Sequence, residues 1–302
     1  MTRKNVVLYL PPVYKMWKTM SKSFALHINI CLVYCKCNEN NGGRLILAKI
    51  IAIFNQKGGV GKTTTAVNLS AAVGLQGKKT LIVDIDQQGN TTSGFGINKR
   101  NLTHSSYDVL MGNIEPEAAV VKTKFKNLDV IPSNRELAGA EVELINLDRR
   151  ESQLKRALAK LSDNYDYIFI DCPPSIGLVS INGLCAADTF MVPLQCEYLA
   201  MEGLSQLMAS VREVKRLYNP ALELEGIVLT MFDGRLNLTQ QVVAEVKKFF
   251  ANKLYSTVIP RSVRISEAPS YGVPIQYYDG KGKGADAYNK LGKEFIKKAK
   301  RT

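Results

Sequence analysis

The sequence has no C-x-x-C pair among its six cysteines, no apolar run long enough to span a membrane, and too few acids to balance its bases. The first absence leaves out zinc-finger and dithiol redox motifs. The second leaves out a membrane-spanning helix. No internal repeat, low-complexity tract or evident linker occurs, which excludes repeat arrays. The shortage of acids is itself informative. Against 40 Lys and Arg stand only 27 Asp and Glu, a formal charge of +13. Such an excess suits an anionic partner, nucleic acid before membrane, and equally suits plain solubility. Cys172, Cys185 and Cys196 lie in apolar text and are expected to be reduced core residues of a cytosolic protein.

Acids are scarcest at the start. Residues 1–47 hold seven basic residues, one acid (Glu39) and the only tryptophan, Trp17. No helical or strand period runs through them. A basic, acid-poor leader fits an organellar transit peptide, a binding arm, or upstream sequence joined to a protein that begins near Leu47. The last is the favoured reading, because the strand beginning at Lys49 needs nothing before it. The remaining chain still has 33 basic and 26 acidic residues. One domain is expected over 48–302, with 1–47 outside the fold.

From residue 48 short apolar runs alternate with longer amphipathic ones. Strands are expected at 49–54, 79–85, 128–133, 165–171, 189–194, 224–230 and 256–260. Helices are expected at 62–75, 149–161, 199–217, 238–251 and 285–300. Several of the strands are apolar throughout, as strands buried on both faces must be. This alternation predicts an α/β fold, a doubly wound, mostly parallel sheet with helices on both faces. In such sheets ligands sit at the carboxyl ends of the strands.

The stretch "NQKGGVGKTTT" follows the first strand. A phosphate-binding loop has glycine, four residues, then Gly-Lys-Ser/Thr. Here the place of the first glycine is taken by Gln56, and a second lysine, Lys57, precedes the glycines. Gly58, Gly59 and Gly61 permit unusual backbone angles around an anion, with Val60 between them. The helix from Lys62 adds its positive end. Lys62 then reaches the β- and γ-phosphates, and the Thr63 hydroxyl is a magnesium ligand, with Thr64 beside it. Asp171, ending the strand "YIFID", has the place of the acid that holds magnesium. Asp86 is the candidate to position the attacking water, and Asp84 either supports it or caps the turn.

Six segments in order, "KGGVGKTTTAVNLSAAV", "LIVDIDQQGN", "YDYIFIDCPPS", "PLQCEYLAMEGL", "LTMFDGR" and "IPRSVRISEAPSYGVPI", resemble the ParA/Soj chromosome- and plasmid-partition ATPases. These belong to the deviant-Walker-A class of P-loop enzymes that also holds MinD. The resemblance runs from about residue 48 to the C-terminus. It implies an ATP hydrolase that uses ATP and Mg²⁺ and closes into a dimer with ATP sandwiched between the subunits. The lysine matching Lys57 then reaches the partner's ATP, as an arginine finger supplied in trans does, and Gly58 leaves room for the partner's approach. Asp86 matches the residue needed for hydrolysis, and Pro260 and Arg261 match the segment beside the nucleobase. The family writes proline where this chain has Gln87, a change that bears on the rigidity of the loop and not on a ligand.

The resemblance also gives the positive charge a use. Partition ATPases bind DNA without sequence preference as ATP dimers, through phosphate contacts. Arg235 and Arg264 match the arginines of the Soj branch that do this. A ParB-type protein is the implied partner, and a cytoplasmic, nucleoid-associated location follows. The alternative is a MinD-like membrane-surface ATPase. Its support is the last helix, with Tyr288, Leu291, Phe295 and Ala299 on one stripe and lysines elsewhere. The stripe is expected instead to pack on the sheet, and a membrane partner is not expected.

Overall fold

The computed structural model describes residues 47–299; the expectations for the N-terminal segment lie outside the described residues. Seven strands form one sheet: β1 (Lys49–Ile53), β2 (Thr80–Asp84), β3 (Val121–Lys122), β4 (Leu128–Ile131), β5 (Tyr167–Asp171), β6 (Thr189–Gln195) and β7 (Glu223–Thr230). Their spatial order is β3-β4-β2-β5-β1-β6-β7. Every pairing is parallel except β3 with β4. The chain leaves β1, passes over the place later filled by β5, and enters β2. This puts β5 between them, with Asp171 in register with both Ile53 and Asp84.

Alternate residues of each central strand feed two separate cores. Ile50, Ala52, Leu81, Val83, Ile168 and Ile170 face one; Ile51, Ile53, Ile82, Tyr167 and Phe169 face the other. With both faces covered, nothing on the strand needs to be polar, and the runs read as continuous apolar text.

The second core lies under α1 (Lys62–Leu75) and the C-terminal helix, which spans Lys283–Ala299. Gly292 of that helix sits over Ala72 so closely that an added Cβ would come within 2.9 Å of the Ala72 Cβ. Tyr288, Leu291 and Phe295 are buried there, and Phe295 lies edge-on to Tyr167 at 5.1 Å between ring centres. The stripe that would lie in a membrane under the alternative reading is therefore core. Among the described residues no helix is long and apolar enough to cross a membrane.

The other face carries helices at Gln153–Leu161, Leu178–Ala186, Ala200–Leu217 and Asn237–Phe250, of which Leu178–Ala186 is not among the expected helices. All five expected helices occur, with ends shifted by a few residues at most. The expected strand at 256–260 does not form. The Ser256 and Thr257 N–H groups donate to the Glu294 carboxylate, at 2.8 and 2.9 Å, and Pro260 has no N–H to give. The segment keeps isolated contacts with the β7 side of the sheet, the bridges Ile227–Leu254 and Phe232–Pro260 and a bond from the Ile259 N–H to the Leu229 carbonyl at 2.8 Å, without a continuous ladder.

Candidate active site

The loop between β1 and α1 is pinned from three sides. Asn55 donates to the Pro193 carbonyl at 2.8 Å and accepts from the Lys57 N–H at 3.0 Å. Thr230, ending β7, donates to the Val60 carbonyl at 2.8 Å. Gly59 and Gly61 have φ of 76° and 88°, the left-handed region where a side chain is strained. Gly58 departs from the expectation: its φ is not positive, and a Cβ there would meet nothing within 4 Å. Nothing inside the subunit requires glycine at that position.

Lys62 opens α1 and is buried, its ammonium donating to the Lys57 carbonyl at 3.1 Å. Burial lowers its pKa, while Asp171 and Asp86 oppose the shift. The ammonium is thus folded into the loop, where an anion held by the backbone N–H groups would gain most from it.

Three carboxylates meet at this edge, and their neighbours separate their roles. Asp84 is fully buried; one oxygen accepts from the Asp86 N–H at 3.1 Å and the other from the N–H and hydroxyl of Thr92, at 2.8 and 2.7 Å. Its hydrogen bonds are used in tying down the next loop. Asp86 accepts from the Gln88 N–H at 2.9 Å and faces the Lys62 side of the site. Asp171 accepts from the Thr91 hydroxyl at 2.7 Å through Oδ2, while its Oδ1 is buried without a partner. The Thr63 side chain is close enough to favour the charged form of Asp171. Burial, and then the charge of Asp84, push the Asp171 carboxyl up to about 8. Burial likewise raises Asp84, to about 6, against its hydrogen bonds to Thr92.

An orphaned, buried carboxylate oxygen beside a threonine hydroxyl and a phosphate loop is the donor set a hard cation such as magnesium takes. The residues fit that ion with phosphate and water completing its shell.

Gln87, in the place of the family's proline, is exposed, and the bonds that hold this loop come from its neighbours. The Asp86 carbonyl accepts from the Gly89 N–H at 2.9 Å and from the Ser133 hydroxyl at 2.7 Å, and Lys99 reaches the Gln88 carbonyl at 2.6 Å.

The Lys57 ammonium pairs with the Glu197 carboxylate of the same chain. Both side chains are about two-fifths exposed (41% and 42%). Sequence reasoning missed Glu197. The available signal was its place just past the carboxyl end of β6, the neighbour of β1.

Pro260 and Arg261 line a cleft of about 280 Å³ that also takes in Gly61, Thr64, Thr230 and Tyr288. Gly61 and Thr64 place this cleft against the phosphate loop.

Arg235 lies in the turn after β7 and Arg264 in the short helix Val263–Glu267; the segments leading to them are neighbours, since the Phe232 N–H donates to the Ile259 carbonyl at 2.9 Å and Arg261 adds to the field at Asp233. Arg235 pairs with Asp233 at 2.6 Å and Arg264 with Glu267 at 3.2 Å. Hydrogen bonds from Arg235 hold the Asp233 carboxyl low, to about 2. Cys172 and Cys185 are buried and Cys196 half-buried, all three free thiols.

A family model described as an AAA domain matches residues 48–224. The sporulation initiation inhibitor protein Soj of Bacillus subtilis is 55% identical over 248 residues, 82% of this chain and 98% of that protein. The chromosome partitioning protein ParA of Myxococcus xanthus is 49% identical over 256 residues, 85% of this chain and 90% of that protein. Among solved structures, cobyrinic acid a,c-diamide synthase from Mycobacterium smegmatis, with bound ATP analog and magnesium, superimposes with a TM-score of 0.74 at 38% identity. That match covers 84% of this chain and 96% of the other.

Proposed function

The chain belongs to the family of Soj and ParA chromosome-partitioning ATPases, and on that premise we propose that it binds ATP with magnesium, hydrolyses it to ADP and phosphate, and binds DNA as an ATP-closed dimer. The observation that carries this reading is the meeting of the phosphate loop with Asp86 and the half-satisfied Asp171 at one edge of the sheet.

In this mechanism the N–H groups of the loop and the Lys62 ammonium hold the β- and γ-phosphates. The cleft at Pro260 and Arg261 takes the nucleobase. Thr63 and Asp171 hold magnesium, which when bound neutralises charge on the phosphate oxygens. Asp86 accepts a hydrogen bond from the attacking water and aligns it on the γ-phosphorus. Little covalent chemistry falls to the protein, so alignment and charge carry the rate.

Lys57 acts on the ATP of the second subunit. Two features support that role. Gly58 has no requirement within its own subunit, so its missing side chain serves a neighbour. The Lys57–Glu197 pair is exposed on both sides, and exposed pairs are worth at most about 1 kcal/mol, so it yields easily when a partner's phosphate arrives.

The same weak-pair argument applies to DNA. Arg235 and Arg264 exchange Asp233 and Glu267 for backbone phosphates at small cost. The proposed setting is the cytoplasm, on the nucleoid, with a ParB-type protein stimulating hydrolysis and release.

The test is retention on non-specific DNA with ATP, ADP or no nucleotide across a salt series, beside anionic vesicles. The reading expects ATP-dependent DNA retention that falls steeply with salt and is lost on Arg235→Ala with Arg264→Ala. Retention on vesicles with no binding to DNA would overturn it.

A further inference from the structure

We infer that Thr91 is a positioning residue for Asp171, holding one carboxylate oxygen so that the other is kept for the magnesium shell. This rests on the reading of Asp171 as the magnesium carboxylate.

A carboxylate at a strand end has a broad, two-fold torsion about its last bond, and either oxygen can turn toward a ligand. Here the choice is fixed. The Thr91 hydroxyl, fully buried, spends its single proton on Asp171 Oδ2 at 2.7 Å, and Oδ1 is left as a buried acceptor with no partner.

The donor is itself immobilised. Thr91 lies in the short helix Asn90–Gly94 that follows the Asp86 loop. Its neighbour Thr92 bonds Asp84 by both its N–H and its hydroxyl, and the Thr92 hydroxyl accepts from the Ser133 N–H at 2.8 Å. Ser133 in turn donates to the Asp86 carbonyl. Two adjacent threonines thus tie the first turn of that helix to the ends of β2 and β5. The Asp86 loop and the magnesium carboxylate are parts of one hydrogen-bonded unit. Side chains that orient a metal ligand act through rigidity of this kind.

The alternative is that Thr91 only satisfies a buried acid. Magnesium separates the two, because a role confined to folding does not alter the concentration of magnesium needed for tight nucleotide binding. The experiment titrates magnesium into the protein with a fluorescent ATP analogue and reads binding at equilibrium, without turnover. Thr91→Val should raise the half-saturating magnesium concentration roughly tenfold or more, with binding in EDTA unchanged. Thr91→Ser, which keeps the hydroxyl, should restore the wild-type value. Thr91→Ala carries the same prediction as valine and replaces it if valine folds poorly. A wild-type magnesium requirement in the hydroxyl-free variants, or a serine variant that fails to restore it, overturns the inference. Asp171→Asn is the control for its premise. If Asp171→Asn itself keeps the wild-type requirement, the assignment of Asp171 fails and the inference falls with it. If Asp171→Asn loses magnesium dependence and Thr91→Val keeps it, only the role of Thr91 is refuted.

Discussion

Under the proposed magnesium role, Asp171 carries opposite duties before and after its ligand arrives. Without a cation, burial and the neighbouring Asp84 make its charge costly, and its carboxyl is raised to about 8. A carboxyl so raised binds more protons in the folded than in the unfolded chain from about pH 4, its ordinary value, to about pH 8. The metal-free protein should therefore lose stability as pH rises through that window. Melting temperatures in EDTA should fall between about pH 5 and 8, and Asp171→Asn should flatten the slope; a slope equal to wild type would show that Asp171 titrates normally. In the proposed mechanism a bound cation removes the penalty. Gly58 teaches a different lesson at this scale. Its neighbours Gly59 and Gly61 are glycines for reasons of backbone angle, whereas Gly58 has an ordinary φ and open space around it. In the proposed dimer, the missing side chain leaves room for the partner subunit.

At the scale of elements, the C-terminal helix is the clearest case of packing deciding between functions. Its apolar stripe meets α1 and the aromatic residues of β5, so it is bound to the sheet and not free for a membrane. Phe295→Ala should cost about 3–5 kcal/mol in denaturant unfolding, the usual loss for a buried phenylalanine. A loss below about 1 kcal/mol would mean that the helix is only loosely docked. Elements of this kind were legible in the sequence because their periods are long. The five long helices and six of the seven expected strands stand where alternation and helical spacing put them. The nine-residue helix Leu178–Ala186 was missed because it is buried nearly all round and offers little polar face to mark a period; the rest that was illegible is short or depends on distant partners. Val121–Lys122 is a two-residue edge strand, too brief for any alternation. The run at 256–260 has strand composition, but Glu294 takes its donors from 37 or more residues away. The phosphate loop, Asp86 and Asp171 could be read locally. Glu197, 140 residues from Lys57, and the bonds of Thr91 and Thr92 could not, because they arise only when β1, β2, β5 and β6 lie side by side.

For the whole molecule, the proposal joins three weak surface features into one cycle: Lys57 with its exposed acid partner, the open Gly58, and two arginines in exposed pairs. Each exposed pair contributes little to stability, which suits contacts that must be exchanged at every turnover. The strong interactions lie inside, in the sheet and at the carboxylates. The central claim is that each subunit supplies Lys57 to the other's ATP while Asp86 serves its own. Mixing two inactive variants tests it directly. Lys57→Ala and Asp86→Ala should each be without ATPase activity alone. A mixed dimer has one complete site, in which the Lys57→Ala subunit contributes Asp86 and receives Lys57 from the other chain. The account predicts that mixing restores ATP hydrolysis. If Lys57 serves its own subunit, neither site in the mixed dimer is complete, and a mixture as inactive as its components would contradict the claim.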